Sequence, residues 1–416
     1  MNRWTLPSST AGQIVTPREQ VEGINLKIVA LTFTAVAYNA MLAFLNARGL
    51  HVSFAMAAAT EMLILCAGVY MLMKDGIKKS NLNVLYFIGA FVVIALIMSL
   101  LNQRIFVDAL RNMLIIALFV CLGRNSNQAT VIKVFSWCTL LVLAVLVLEL
   151  SSLTTYAKGL NPASYFVNSR GMAVFEYDDS GIFRNALGFA NRFSYGLFSG
   201  PRTSSIFLEQ VSLANYAAIL GIFLISVWPS LPLKLRVLHM VTIFLIVTSN
   251  NTRMTSILTL MTLIGYYAYP RLPRYLPLAL PPILIAIALT VYSLYPENHS
   301  DTFVGRISVT GDRLANMGIP EMFGMGIDQL GKLMDSGYAY VAFSSTVLGL
   351  FLLCFFITFI VPQNSPAQRR CGYALGLYFF LNLLVSGTAI FSIKVAAPLW
   401  LLVGMMSSPQ RSEVSR

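Results

Sequence analysis

Apolar residues run through this chain in blocks of about 20, and that feature constrains its fold more than any other. As a helix, each block is long enough to cross a hydrocarbon core of roughly 30 Å. The blocks lack the 3.6-residue striping of a helix lying on a soluble core. Of 416 residues, 57% are hydrophobic and 11% charged, against roughly 25% charged in soluble domains. The sequence therefore predicts an all-α fold, a polytopic transmembrane helical bundle forming one integral membrane domain.

Twelve spans are expected, at about 28–47, 52–73, 83–101, 105–123, 134–151, 208–228, 237–249, 254–270, 276–295, 339–362, 372–387 and 390–406. The connections carrying Lys74/Lys78/Lys79, Arg124/Lys133, Lys234/Arg236, Arg271/Arg274 and Arg369/Arg370 alternate with the others. The tails 1–27 and 407–416, with Arg3, Arg18, Lys27, Arg411 and Arg416, fall on that same side. The positive-inside rule makes it the cytoplasm. Two long polar segments, 152–207 and 296–338, then lie outside, the second expected to fold as a short helical cap.

The net charge of +12 is thus accounted for by orientation and gives no reason to expect a nucleic-acid partner. No GxxxxGK[ST] motif is present, so ATP hydrolysis is not the expected energy source. The polar N-terminal stretch has no hydrophobic region with a small-residue cleavage site, and no cleaved leader is expected. The five cysteines contain no CxxC pair and read as free, packed thiols. No His/Cys/Asp/Glu cluster has metal-ligand spacing, and no cofactor is expected.

Orientation does not explain arginines on the outer side. The first long segment holds Arg170, Arg184, Arg192 and Arg202, an outer turn holds Arg253, and the second long segment holds Arg306 and Arg313. Arginine grips phosphate as a planar fork that keeps its charge. These residues therefore point to an anionic, phosphate-bearing substrate. The competing explanation is pairing with Glu176, Asp178, Asp179, Asp301, Asp312 or lipid headgroups. Arg202 and Arg253 are each expected at an outer helix start, where backbone N–H groups and the helix dipole also favour anions. Together they suggest a diphosphate clamp.

Glu209 either neutralises an arginine or positions a sugar hydroxyl. Asp335, at the close of the second segment, either acts as a general base at the membrane boundary or caps the following helix. Tyr338 lies beside it in the candidate substrate-binding set. His299 is the one histidine of the long outer segments, and an exposed loop histidine is more often solvated than catalytic. Glu61, Glu149 and Lys394 lie within spans, where ionisable groups are costly; each either serves function or reaches toward an interface.

With these residues in place, the chain resembles the Wzy-type polymerases of O-antigen and exopolysaccharide, in a superfamily shared with the O-antigen ligases of bacterial inner membranes. The resemblance lies in the span layout, the two arginine-bearing periplasmic segments and several strings. These are RTSSIFLEQVSLANY, SNNTRMTSI, GDRLANM, FGMGIDQL and DSGYAYVAFSSTVLGL. It implies transfer of a glycan from undecaprenyl diphosphate to the non-reducing end of another lipid-linked repeat unit. Arg202 and Arg253 would hold the donor diphosphate. A chain-length regulator and export machinery are the implied protein partners. The ligases carry a histidine near the start of the span after the second segment. This chain has MDSGYAY there, which favours polymerase over ligase. A flippase or transporter is the third reading; it would use charges along a central path, for which Glu61, Glu149 and Lys394 are available.

Overall fold

The computed structural model describes residues 23–173, 180–187, 193–198, 200–297, 302–333, 335–385 and 387–408. Among them are sixteen α-helices and no strand. In chain order these are α1 (Leu26–Ala47), α2 (Phe54–Lys74), α3 (Leu82–Leu101), α4 (Asp108–Arg124), α5 (Gln128–Ser151), α6 (Leu153–Leu160), α7 (Pro162–Arg170) and α8 (Gln210–Val227). They continue as α9 (Leu233–Asn250), α10 (Arg253–Ala268), α11 (Leu276–Leu294), α12 (Phe303–Ala315), α13 (Ile319–Met322), α14 (Gly337–Phe359), α15 (Pro366–Val385) and α16 (Ile393–Met406).

Local chemistry sets several boundaries. Asn25, Ser53 and Asn127 cap α1, α2 and α5, their side-chain oxygens accepting the N–H of Ile28, Met56 and Thr130. The Asn127 cap starts α5 earlier than the expected 134, so Lys133 is helical. Among the described residues, eight helices are long and apolar enough to cross a membrane: α1, α2, α3, α5, α8, α9, α11 and α14. Expected spans also fall on α4, α10, α15 and α16, which lie outside that group of eight.

The packing combines a buried apolar core with an apolar outer surface. Helix α8 is enclosed by α9, α10, α15 and α16, and α16 is buried along its whole length. By contrast, Leu63 of α2 and Tyr86 and Leu100 of α3 face outward. An apolar outer surface on long apolar helices is that of a membrane protein. The tightest crossing joins α4 to α16. A Cβ on Gly404 would lie 2.1 Å from the Val120 carbonyl oxygen, and one on Gly123 2.2 Å from that of Leu401. Glycine at both positions lets the two backbones touch.

Both long polar segments fold onto the same end of the bundle. Residues 152–207 include α6 and α7, and the Tyr165 hydroxyl donates to Asn39 of α1 at 2.8 Å. The 296–338 segment includes α12, α13 and a 3-10 turn over Ile327–Leu333. It is anchored by Thr310 Oγ1 donating to the Leu384 carbonyl at 2.8 Å and Asn102 Nδ2 donating to that of Gly324 at 2.6 Å. Helix α14 is broken in its middle, Ser345 having φ −145° and Thr346 φ 64°. A positive φ at a β-branched residue is strained.

Candidate functional site

The segment from Arg202 to Glu209 is the backbone of the site, and it is not a helix start. Helix α8 begins only at Gln210, and Ser205 (φ 46°) and Leu208 (φ 62°) are left-handed. Arg202 therefore does not sit at a helix N-terminus, contrary to the sequence expectation. The reason is a buried acceptor. Glu149 of α5 takes the N–H of Ser204 at 3.0 Å (Oε1) and of Ser205 at 2.7 Å (Oε2). The Tyr156 hydroxyl donates to the Ser205 carbonyl at 2.8 Å. Asn250 Nδ2, at the end of α9, donates to the carbonyls of Thr203 at 2.7 Å and Gln210 at 2.9 Å. Irregular backbone is tolerated among apolar helices only when its polar groups are satisfied in this way. Glu149 thus serves from a buried position, not by reaching to an interface.

The same network brings the two arginine-bearing segments together. The Arg202 N–H donates to the Ala186 carbonyl at 2.8 Å. The next residue, Thr203, shares a 2.7 Å hydroxyl contact with Ser249 of α9. From there, Asn251 turns the chain with φ 52° and its Oδ1 accepts the Tyr195 N–H at 2.9 Å. Arg253 then opens α10. It is exposed, with its guanidinium 5.1 Å from the centre of the Phe193 ring. No carboxylate among the described residues pairs with it. Its position at a helix start is the one expected from the sequence.

Glu209 is the N-cap residue of α8, though its side chain caps nothing. Its carboxylate is engaged by Lys394 Nζ at 3.0 Å, by Ser212 Oγ at 2.9 Å and by Arg170. Lys394 is wholly buried and also donates to the Phe207 carbonyl at 2.9 Å, so it does not snorkel. Of the two roles weighed for Glu209, neutralising an arginine is the contact present. The Arg170 guanidinium lies 4.6 Å from the Phe166 ring centre. Burial pushes the neighbouring Tyr165 phenol up to about 12 despite Arg170, so it stays a neutral donor to Asn39.

Next to this triad Glu61 has partners that sequence reasoning did not supply. Arg111 Nε donates to Glu61 at 2.7 Å, Tyr38 donates to the same carboxylate at 3.3 Å, and Asn112 Nδ2 donates to Tyr340 at 3.3 Å. The Tyr38 phenol is within electrostatic reach of both Arg111 and Arg170. A cavity of about 410 Å³ opens beside Tyr340, lined by Asp108, Asp328 and Arg104, the last two paired at 2.6 Å. The charges of Asp108 and Arg111 at the head of an apolar block, with Glu61 inside another, were the available signals.

The remaining expected residues are scattered. Arg306 is exposed on α12 and directs Nη1 to the Val385 carbonyl at 3.4 Å. Arg313 Nε lies 4.0 Å from the Asp312 carboxylate. Asp335 sits in an exposed turn, and the cap position of α14 is Ser336. Tyr338 is wholly buried, its hydroxyl without a hydrogen-bond partner among the described residues. No hydrogen bond or ion pair joins Asp335 or Tyr338 to the Arg202–Glu209 network among the described residues. Arg192, His299, Glu176, Asp178, Asp179 and Asp301 lie outside the described residues. Among those described, no three His, Cys, Asp or Glu side chains converge. No protein family, no curated protein and no solved structure matches the chain.

Proposed function

We propose that the protein is a polymerase of lipid-linked oligosaccharides, acting on the periplasmic face of a bacterial inner membrane. In this reading the chain crosses the bilayer twelve times, with both termini cytoplasmic and the arginine-rich end of the bundle outside. The donor is a glycan on undecaprenyl diphosphate. A hydroxyl at the non-reducing end of the acceptor repeat unit attacks the donor's anomeric carbon. The bond from that carbon to the diphosphate breaks, undecaprenyl diphosphate leaves, and a carboxylate takes the hydroxyl proton. Asp335, exposed ahead of α14, is the chosen base.

The chemistry needs positive charge where the leaving diphosphate becomes more negative, and no ATP. The observation that carries the reading is Arg253. It is exposed at the first turn of α10, without a carboxylate partner among the described residues, and its turn is tied through Asn250 and Ser249 to the segment of Arg202. A guanidinium left unneutralised on that rim is suited to a phosphate. Arg306 and Arg313 would extend the cationic surface around the glycan-bearing end, while Tyr338, being buried, would act only through packing.

The test is a lipid-linked oligosaccharide assay in membranes. Arg202→Ala and Arg253→Ala are expected to abolish ladders of repeat units while insertion persists. Wild-type chain lengths in both variants remove the site assignment. Product on lipid A core instead of ladders identifies a ligase, and translocation without a new glycosidic bond a transporter.

A further inference from the structure

At the opposite end of the bundle, where α3 begins and α4 and α16 end, lies a cavity of about 600 Å³. Arg124, the last residue of α4, lines it and is only 7% exposed. Its Nε donates to Ser407 Oγ at 2.9 Å, and its Nη1 donates to Asn83 Oδ1 at 2.7 Å and to the Ser80 carbonyl. All three acceptors are neutral. Among the described residues no carboxylate pairs with Arg124, and Nη2 has no hydrogen-bond partner. Lys79, exposed on the same wall, also lacks an acidic partner there.

A buried cation is strongly disfavoured without a counter-charge, the described residues supply none here, and the cavity leaves space for an anion. We propose that this cavity binds a phosphate group, gripped by Arg124 from within and by Lys79 at its edge. A guanidinium fork with unused N–H groups suits phosphate oxygens. The flank favours a phospholipid headgroup as the source. Leu82, Tyr86 and Phe359 line the cavity and are exposed, continuing the apolar outer faces of α3 and α14. Acyl chains can lie along that face while the headgroup reaches the cations, and basic pockets at helix ends recognise anionic lipids in this way. A soluble phosphate would use the same grip without the flank.

The test uses the full chain, with thermal stability measured in two settings. In bilayer discs, phosphatidylcholine is compared with phosphatidylcholine containing phosphatidylglycerol. In detergent, inorganic phosphate is titrated at constant ionic strength. Asn83→Asp places a carboxylate where Oδ1 now accepts from Arg124, supplying the counter-charge internally. It is expected to weaken the response to the anion at least about tenfold, and as a nearly isosteric change it leaves the packing intact. A saturable rise with phosphatidylglycerol alone, lost in Asn83→Asp, supports a lipid site. A rise with inorganic phosphate, lost in the same variant, supports a soluble phosphate ligand. No rise in either setting, or rises of equal size in wild type and Asn83→Asp, overturns the proposal.

Discussion

Replacing Glu149 with alanine should free the irregular segment that carries Arg202 without unfolding the bundle. The carboxylate accepts two backbone N–H groups, from Ser204 and Ser205, both wholly buried. Each buried donor left unsatisfied costs about 1–3 kcal/mol, so the two together cost about 2–6 kcal/mol. That cost falls on residues 203–208, because α8 is held independently by its packing against α9, α10, α15 and α16. Opening of the segment should therefore rise by a factor of roughly 30 or more, the equivalent of about 2 kcal/mol. Amide hydrogen exchange of the peptide covering Ser204 and Ser205 reads this directly. Glu149→Gln keeps one acceptor oxygen and should cost about half as much. Under the proposed function, chain extension should fall in the same order, since Arg202 is two residues from the released amides. Unchanged exchange in both variants would refute the argument, because it would mean that the carboxylate does not hold the segment.

Three further outcomes follow from the packing and charges. Lys394→Met leaves Glu209 buried with Arg170 alone and should destabilise by about 3–5 kcal/mol, while adding Glu209→Gln should recover much of the loss in a thermal melt. Arg111→Met should cost more than Glu61→Gln, because the Arg111 side chain is 43% exposed and the Glu61 side chain 11%, so water can rescue only the arginine. Gly404→Leu should prevent accumulation of folded protein in membranes, since even a Cβ there meets the Val120 carbonyl oxygen at 2.1 Å; normal yield and monodispersity would contradict the close crossing.

The apolar blocks made the helices legible, because length and hydropathy are local properties. The first expected span, 28–47, meets α1 at Leu26–Ala47, and the seventh, 237–249, lies inside α9 at Leu233–Asn250. What stayed hidden depends on partners far along the chain. Nothing in RTSSIFLEQ says that it resists the helix; the cause is Glu149, 55 residues before Ser204. Lys394 reads as a snorkelling residue until Glu209, 185 positions earlier, is placed beside it. Glu61 looks like an isolated cost because its partner, Arg111, is 50 positions away on a different helix. Arg253 was legible because a charged residue directly before an apolar block marks a helix start wherever the rest of the chain goes.

The break in α14 bears on how the chain is built. Hydropathy reads Gly337–Phe359 as a single uninterrupted membrane segment. Alone in lipid such a segment stays a straight rod, since a kink exposes backbone groups that hydrocarbon cannot satisfy. The positive φ at Thr346 lies beside Gly324 of the second polar segment, where an added Cβ would come within 3.3 Å of the Thr346 side chain. The direction of the Gly337–Ser344 half of α14 is therefore tied to a contact outside the helix, and hydropathy alone does not carry it.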